Sequence, residues 1–568
     1  MKSDVTQLPL VLGITGHRNL RSEDVGVLRR LIHEFFADLQ EEYPHTPLML
    51  ISPLAEGADR IAAEVALESG IDLIVPLPMP VRLYERDFES WESLGEFRGL
   101  LKRAKHVFEL PLMDGTFERD LEHYGARRDE QYALVGAYVA RHCQILIALW
   151  DGVPSTLVGS TAQVVEFKIH GIPSLYAHQS PLDIVESGPV YHILTPRSGA
   201  QNVPNYSLTT TWIYPETDNQ NEAEFQRIFR RIDGFNADCV THSEKIAAQK
   251  PKSKSYVLPP EIMASMPESL AMNLDRYATA DVLAGLYQKR TLNILLWLFV
   301  LVFIVVSAQV GSYILTGNPW ILLTYIVGLS AAYSGYLWAH RGEFEIKYLD
   351  YRALAEGLRI QLFWQIAGLK ENIAEHYMRK QKGDLDWIRD AVITWSIPLG
   401  DYKNGDFQNE ETLVERLQLI GKHWIDDQYQ YFIKSAQRDS TRLKKLKIWG
   451  NIFFFAGLVL ATLETSFDFL LTHNPLTHLT LLIGVVQVFG ALLHGYGEKR
   501  LFSEQSRQYT RMATLFANAK KYFMQQLKTG NIETAQSLTL ELGKEALIEN
   551  GDWVMLHRER PMEVPKAG

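Results

Sequence analysis

The sequence predicts an α/β domain built on a parallel sheet, followed by an all-α membrane region with two transmembrane hairpins and cytosolic helices. Three observations carry this prediction. Short, near-continuously apolar runs alternate with helical patterns from Leu8 to Ile169. Uncharged apolar runs then recur in two pairs between Leu292 and Leu493. Lys and Arg stand at the outer ends of both pairs and are missing from the turns inside them. Chain averages conceal the division: 568 residues with 57 Lys+Arg against 67 Asp+Glu give a net charge of −10, and the mean hydropathy is −0.10.

Those averages still exclude some classes. A net acidic chain with pI near 6.0 lacks the basic face of a dedicated nucleic-acid binder. Two cysteines, Cys143 and Cys239, cannot supply a disulfide framework or a Cys-rich metal site, and no metal or resident cofactor is expected. Six segments follow from the composition: a sheet domain over 1–215, a helical linker over 216–290, a first hairpin over 291–340, a cytosolic helical region over 341–445, a second hairpin over 446–497 and C-terminal cytosolic helices over 498–568.

In the first segment, Leu8–Ile14, Pro47–Leu54, Ile71–Pro76 and Gln144–Trp150 read as strands. Such apolar strands, alternating with helices, indicate a parallel sheet covered on both faces. Ligands bind such sheets off the carboxyl ends of the strands, and small or polar clusters stand there. Gly13-Ile-Thr15-Gly16-His17-Arg18 follows the first strand. Its glycines suit backbone approach to a phosphate at a helix N-terminus, with Arg18 adding a bidentate contact; a tight turn would need them on steric grounds alone. Glu56-Gly57-Ala58-Asp59 opens the second helix, with Asp59 either a first-turn acid or a partner for a ribose hydroxyl. Asp151-Gly152 ends the fourth strand, and Gly159-Ser160-Thr161 opens the next helical run.

The membrane half begins with Leu292–Leu315 and Trp320–Ala339, and continues with the shorter Ile448–Leu463 and Leu479–Leu493. Runs of about 20 apolar residues cross a ~30 Å hydrocarbon core as helices. Lys289, Arg290 and Arg341 flank the first pair; Arg442, Lys444, Lys445, Lys447, Lys499 and Arg500 flank the second. The positive-inside rule then puts both hairpin turns outside and both termini in the cytoplasm, in a multi-pass protein of the inner or cytoplasmic membrane. Ser307 and Gln309 in the first span, and Ser330 and Ser334 at i, i+4 in the second, are candidate pore-lining residues, with interhelical hydrogen bonding as the other reading. Four spans enclose no wide pore alone, so a homo-oligomer is expected, a tetramer among the options. Gly342-Glu343 and Gly497-Glu498, followed by Tyr351-Arg352 and by Tyr509 and Arg511, suggest a weak internal repeat.

GITGHR, SPLAEGADRIAAEVA, VPLPMPVRLYERDF, CQILIALWDG and GSTAQVVEF, in that order over about residues 8–215, resemble the SLOG superfamily. These are Rossmann-like domains related to the Lonely Guy enzymes and DprA/Smf proteins, which bind nucleotides and nucleotide-derived signals; a relative is the cytosolic sensor of melastatin-type TRP channels. The resemblance implies a pocket lined by Gly13, Thr15, Gly16, Gly57, Asp59, Gly159, Ser160 and Thr161, with His17, Arg18, Glu56, Arg86, Asp87 and Arg128 as further contacts, beside Asp151 at the fourth strand end. Lonely Guy enzymes carry a PGGxGTxEE-like motif whose acids serve N-glycosidic cleavage. Gln163 and Val164 stand where those acids belong, and an amide is no general base. His17 suits a hydrogen bond to phosphate better than a role as base.

Residues 260–545, with helices leading through basic flanks into each hairpin, resemble the SLATT family of two-helix transmembrane effectors paired with nucleotide-sensing modules in bacterial conflict systems. Together the resemblances imply a nucleotide-sensing membrane effector, forming an oligomeric pore or disrupting the bilayer in antiphage defence. The messenger would be a nucleotide, a cyclic nucleotide or an ADP-ribose derivative. The alternative is a membrane-tethered enzyme cleaving a nucleotide with Glu56, Asp59 or Glu166.

Overall fold

The structure, a computed structural model, describes residues 6–176, 186–199, 208–215, 222–314, 318–377, 385–397, 410–470 and 477–560. The chain forms two compact units: 1–245 with 267–275 and 371–404, and 246–266 with 276–370 and 405–568.

The first unit is built on a seven-stranded sheet ordered β4-β3-β2-β1-β5-β6-β7. β1 (Leu10–Gly16), β2 (Leu48–Ile51), β3 (Asp72–Leu77), β4 (His106–Glu109), β5 (Ile145–Trp150) and β6 (Val190–Leu194) run parallel, and β7 (Thr210–Ile213) pairs antiparallel to β6. All residues of β2 are buried, and β1 is buried from Leu10 to Thr15, as central strands covered on both faces must be. Three strands go beyond the sequence reading. β4 and β7 are four-residue edge strands, mostly part-exposed or exposed, and so show no apolar run; β6 (VYHIL) carries His192 in its middle.

Among the described residues, five helices of ten residues or more connect the strands: α1 (Val25–Glu42), α2 (Ala58–Glu68), α3 (Trp91–Arg103), α4 (Ala126–His142) and α5 (Thr161–His170). Leu28, Ile32, Phe35, Phe36 and Leu39 of α1 are buried, the spacing of one apolar helix face.

The units cut across the segment boundaries read from composition. The helix Glu222–Thr241, placed by sequence in a linker, and the helix Asp386–Ser396, placed in the middle region, both belong to the sheet unit. Burial explains why. Phe235 packs 6.0 Å from Trp387 and 6.1 Å from Trp395. Buried Asn236 accepts from the Leu8 N–H at 2.9 Å and donates to the Leu8 carbonyl at 2.8 Å. Gln144 accepts from the Val11 N–H at 2.7 Å and donates to Thr394 at 3.1 Å. These bonds satisfy buried backbone groups of Leu8 and Val11 at the amino end of β1.

The second unit is helical, and the described residues contain four helices long and apolar enough to cross a membrane, within Glu268–Ser312, Pro319–Ile366, Leu413–Ser466 and Leu479–Lys528. Only 6–22 % of their most apolar windows is buried inside the chain; Trp297, Ile326, Phe455 and Val459 are among the side chains they expose. A belt of this extent has no place against water. Small residues let the spans approach: a Cβ on Gly450 would fall 2.7 Å from the His494 ring, one on Gly457 2.6 Å from Gln487, and one on Gly484 2.8 Å from Val310. The polar Gln487 and His494 thus point at neighbouring helices, in the manner of small-residue packing in bilayers.

Each hairpin is followed by the same break. Glu343 (φ 49°) and Leu501 (φ 50°) are left-handed residues that precede the helices Phe344–Ile366 and Phe502–Lys528. Tyr351 and Tyr509 each stand seven residues beyond that first phenylalanine and pack on an aromatic ring of the long helix before it, Tyr287 at 5.8 Å and Phe432 at 5.9 Å. The repeat is therefore in register at Glu343 and Leu501, three residues away from the Gly-Glu alignment suggested by sequence.

Candidate ligand site at the sheet edge

β1 leads to β2, β3 and β4 on one side, while β5, β6 and β7 lie on the other. The connections diverge at the carboxyl ends of β1 and β5, the switch point where doubly wound sheets leave a crevice. His17, Arg18 and Asp151 stand at these two ends.

His17 is 5 % exposed. Its Nε2 accepts from the Asp151 N–H at 3.1 Å and lies 3.4 Å from Asp151 Oδ2. Burial lowers its pKa against the pull of Asp151, so the imidazole is neutral at pH 7 with Nε2 as acceptor and the proton on Nδ1. Arg197, which the sequence reading missed, pairs with Asp151 at 3.0 Å.

The glycines divide into two roles. At Gly57 (φ +79°) a Cβ would fall 2.3 Å from the Arg18 carbonyl oxygen; at Gly16 one would fall 2.4 Å from Ala58 Cβ. The Ala58 N–H donates to the His17 carbonyl at 3.2 Å. Gly16 and Gly57 therefore press the loop after β1 onto the start of α2. Gly13 is inside the sheet, where a Cβ would meet Cys143 Sγ and Val139 Cγ1 at 2.8 Å; it packs α4 against β1, away from the edge, and Thr15 is likewise buried within β1.

Arg18 gathers residues from three other stretches of chain. Its guanidinium is 5.4 Å from the centre of the Tyr132 ring; burial lowers its pKa, while Tyr84, Tyr132, Asp87 and Asp59 raise it by more. Asp59 is 4 % exposed. Burial pushes its carboxyl up to about 7, against the opposing pull of the Ala55 N–H, Arg18 and Arg60. The protonated form, which can donate as well as accept a hydrogen bond, is thereby favoured well above the ordinary carboxylate range.

Asp87 and Arg128 are committed inside the fold. Arg128, 2 % exposed, donates to Asp87, to the Leu121 carbonyl, to the Leu83 carbonyl at 2.9 Å and to Tyr132 Oη at 2.8 Å. Tyr132 in turn donates to Asp87 at 2.5 Å. The pair ties the turn after β3 to α4 and leaves Tyr132 facing Arg18. Arg86 is exposed and reaches the Glu122 carbonyl at 3.4 Å, and Glu56 accepts from Ser93.

Ser160 caps α5 by accepting from the Gln163 N–H at 3.4 Å, while Gln163 Oε1 accepts from the Gly159 N–H at 2.7 Å. This reciprocal pairing resembles a capping box and gives Gln163 a structural use. Gly159 (φ +74°) leaves room for Tyr132, whose Cβ would lie 3.0 Å from a Cβ there. Thr161 is the first residue of α5. Val153, Leu157 and Val158, which the sequence reading passed over, are exposed along the loop before it. Glu166 lies on an exposed turn of α5, 3.3 Å from His170.

The four candidate pore residues do not converge within one chain. Ser307 Oγ is buried without a hydrogen-bond partner, whereas Gln309, Ser330 and Ser334 are on the outer surface. Among the described residues no group of three His, Cys, Asp or Glu side chains could hold a metal ion. Searches of protein-family models, of curated proteins and of solved structures found no match to this chain.

Proposed function

We propose that this chain is a nucleotide-ligand sensor joined to a multi-pass membrane effector, its first unit a Rossmann-like SLOG domain and its second a SLATT-type membrane region. One observation carries the reading: a parallel sheet with Arg18 and Arg197 at its switch point stands in the same chain as four helices whose apolar faces are exposed. Arg18 and Arg197 offer charge to phosphates, the amino ends of α2 and α5 offer backbone donors, and the Tyr132 ring and Leu157 offer apolar surface to a base. A nucleotide-derived messenger that binds one of two states more tightly shifts the population toward it. Oligomers in the inner membrane would then open a pore or breach the bilayer, in keeping with antiphage defence. Placement of Gln309, Ser330 and Ser334 on the outer surface suits contact between protomers.

The competing reading, N-glycosidic cleavage, draws less support. Glu56 is engaged by Ser93, Asp59 is 4 % exposed, and Glu166 faces outward. The test is dye release from liposomes containing the purified chain, run with a panel of nucleotides, cyclic dinucleotides and ADP-ribose derivatives. Release by one class, lost on Arg18→Glu without ligand turnover, is expected. Steady turnover abolished by Asp59→Asn would overturn the sensor reading.

A further inference from the structure

Outside the apolar spans, the second unit lines an open cavity of about 530 Å³ of mixed polar and apolar character, within the size range of small-molecule sites. Its cationic lining is Lys252, Lys289, Arg352, Arg359 and Arg438; its acids are Asp281, Glu356 and Glu549. Burial and the neighbouring Glu356 push Glu549 up to about 8, so it is mostly uncharged at pH 7. Lys252, Lys289 and Arg438 stand at the cavity's exposed rim, Arg438 paired with Asp439 at 3.1 Å, while Arg352 and Arg359 lie deeper beside Asp281 and Glu356.

The pairing inside the cavity is incomplete. Arg352 donates to Asp281 at 3.3 Å and to Glu356 at 2.5 Å. Arg359 meets the other oxygen of Glu356 and donates to Gln428 at 3.0 Å through the same nitrogen, Nη2. Arg359 is 8 % exposed, and its Nε is buried with no hydrogen-bond partner. Leaving such a buried donor unmet is unfavourable by more than a typical hydrogen bond contributes. Tyr431 and Tyr509 add hydroxyl groups to the wall.

We propose that this cavity binds a phosphate-bearing anion, with Arg359 and Arg352 as its charge partners and Tyr509 as a hydroxyl partner. A phosphate suits the site better than a carboxylate: its several oxygens accept from a guanidinium fork and a hydroxyl together. The anion is the headgroup of an acidic phospholipid or a free phosphate. Lys289 stands three residues before the apolar run that starts at Leu292, so the lipid source rests on the membrane reading above, whereas the free-phosphate source does not.

The test uses the full chain in phosphate-free detergent. Native mass spectrometry follows phosphatidylglycerol against phosphatidylcholine, and calorimetry follows inorganic phosphate. Saturable binding of one probe is expected, at least tenfold weaker in both Arg359→Gln and Tyr509→Phe and unchanged in Arg119→Ala, an exposed position in the first unit. Selective retention of phosphatidylglycerol assigns a lipid headgroup, and phosphate uptake assigns a soluble ligand. Should Arg359→Gln fail to fold by circular dichroism, Tyr509→Phe, which removes one hydroxyl, carries the comparison. Binding of neither probe, or equal binding by wild type and folded variants, overturns the proposal.

Discussion

Arg128 and Asp87 show how far a functional-looking pair can be absorbed by structure. Both are almost fully buried, and Arg128 donates to two backbone carbonyls and Tyr132 as well as to Asp87. Removing one partner of such a pair strands the other charge. Arg128→Met is therefore expected to lower unfolding stability by about 3–5 kcal/mol, measured by urea denaturation, with more loss than Arg86→Met at the exposed neighbour. Asp59 makes a prediction of opposite sign to a paired carboxylate. Its folded pKa of about 7 lies above the ordinary 3.8, so the stability associated with its protonated form is complete below about pH 4 and is lost as pH rises through 7. Thermal unfolding between pH 5 and pH 8 should show a falling wild-type midpoint and a shallower fall in Asp59→Asn. Equal slopes would show that Asp59 titrates normally.

At the scale of elements, the start of α5 turns an apparent catalytic lesion into a helix cap. Gln163 stands where the resemblance to a glycosidic-bond hydrolase calls for an acid, and its amide oxygen accepts from the Gly159 N–H. Ser160→Ala should cost about 1 kcal/mol of stability by chemical denaturation, whereas Gln163→Glu, which keeps an acceptor in the first turn, should be nearly neutral; a large loss in Gln163→Glu would contradict the cap. The central strands and α1 were legible from sequence because their apolar periodicity reflects burial. β4 and β7 were not, being short edges with mixed exposure. Nor was the register of the repeat, because it is set by two left-handed residues, Glu343 and Leu501, of types that carry no turn signal.

For the whole molecule, the charge flanks make a prediction about topology. Asn318, the N-cap of the helix Pro319–Arg341, lies in a turn expected outside the membrane, and Ser503, just past Arg500, is expected inside. In intact cells Asn318→Cys should react with a membrane-impermeant maleimide and Ser503→Cys should not; native Cys143 and Cys239 are buried and give low background. The reverse pattern would refute the inside placement of the positive flanks.

By itself the sequence determined the α/β character of the amino-terminal part, the carboxyl-end clusters and the membrane-length helices, because composition and period record burial along a single element. Only the tertiary structure decided that Gly13 serves packing, that Arg128 and Asp87 are spent on each other, and that Tyr132 and Arg197 join His17 and Arg18. It also brought the helix Asp386–Ser396 into the sheet unit. These relations depend on which distant side chains meet, as Arg128 meets Leu83 across 45 residues of chain, and a pattern read along the chain holds no record of contacts across it.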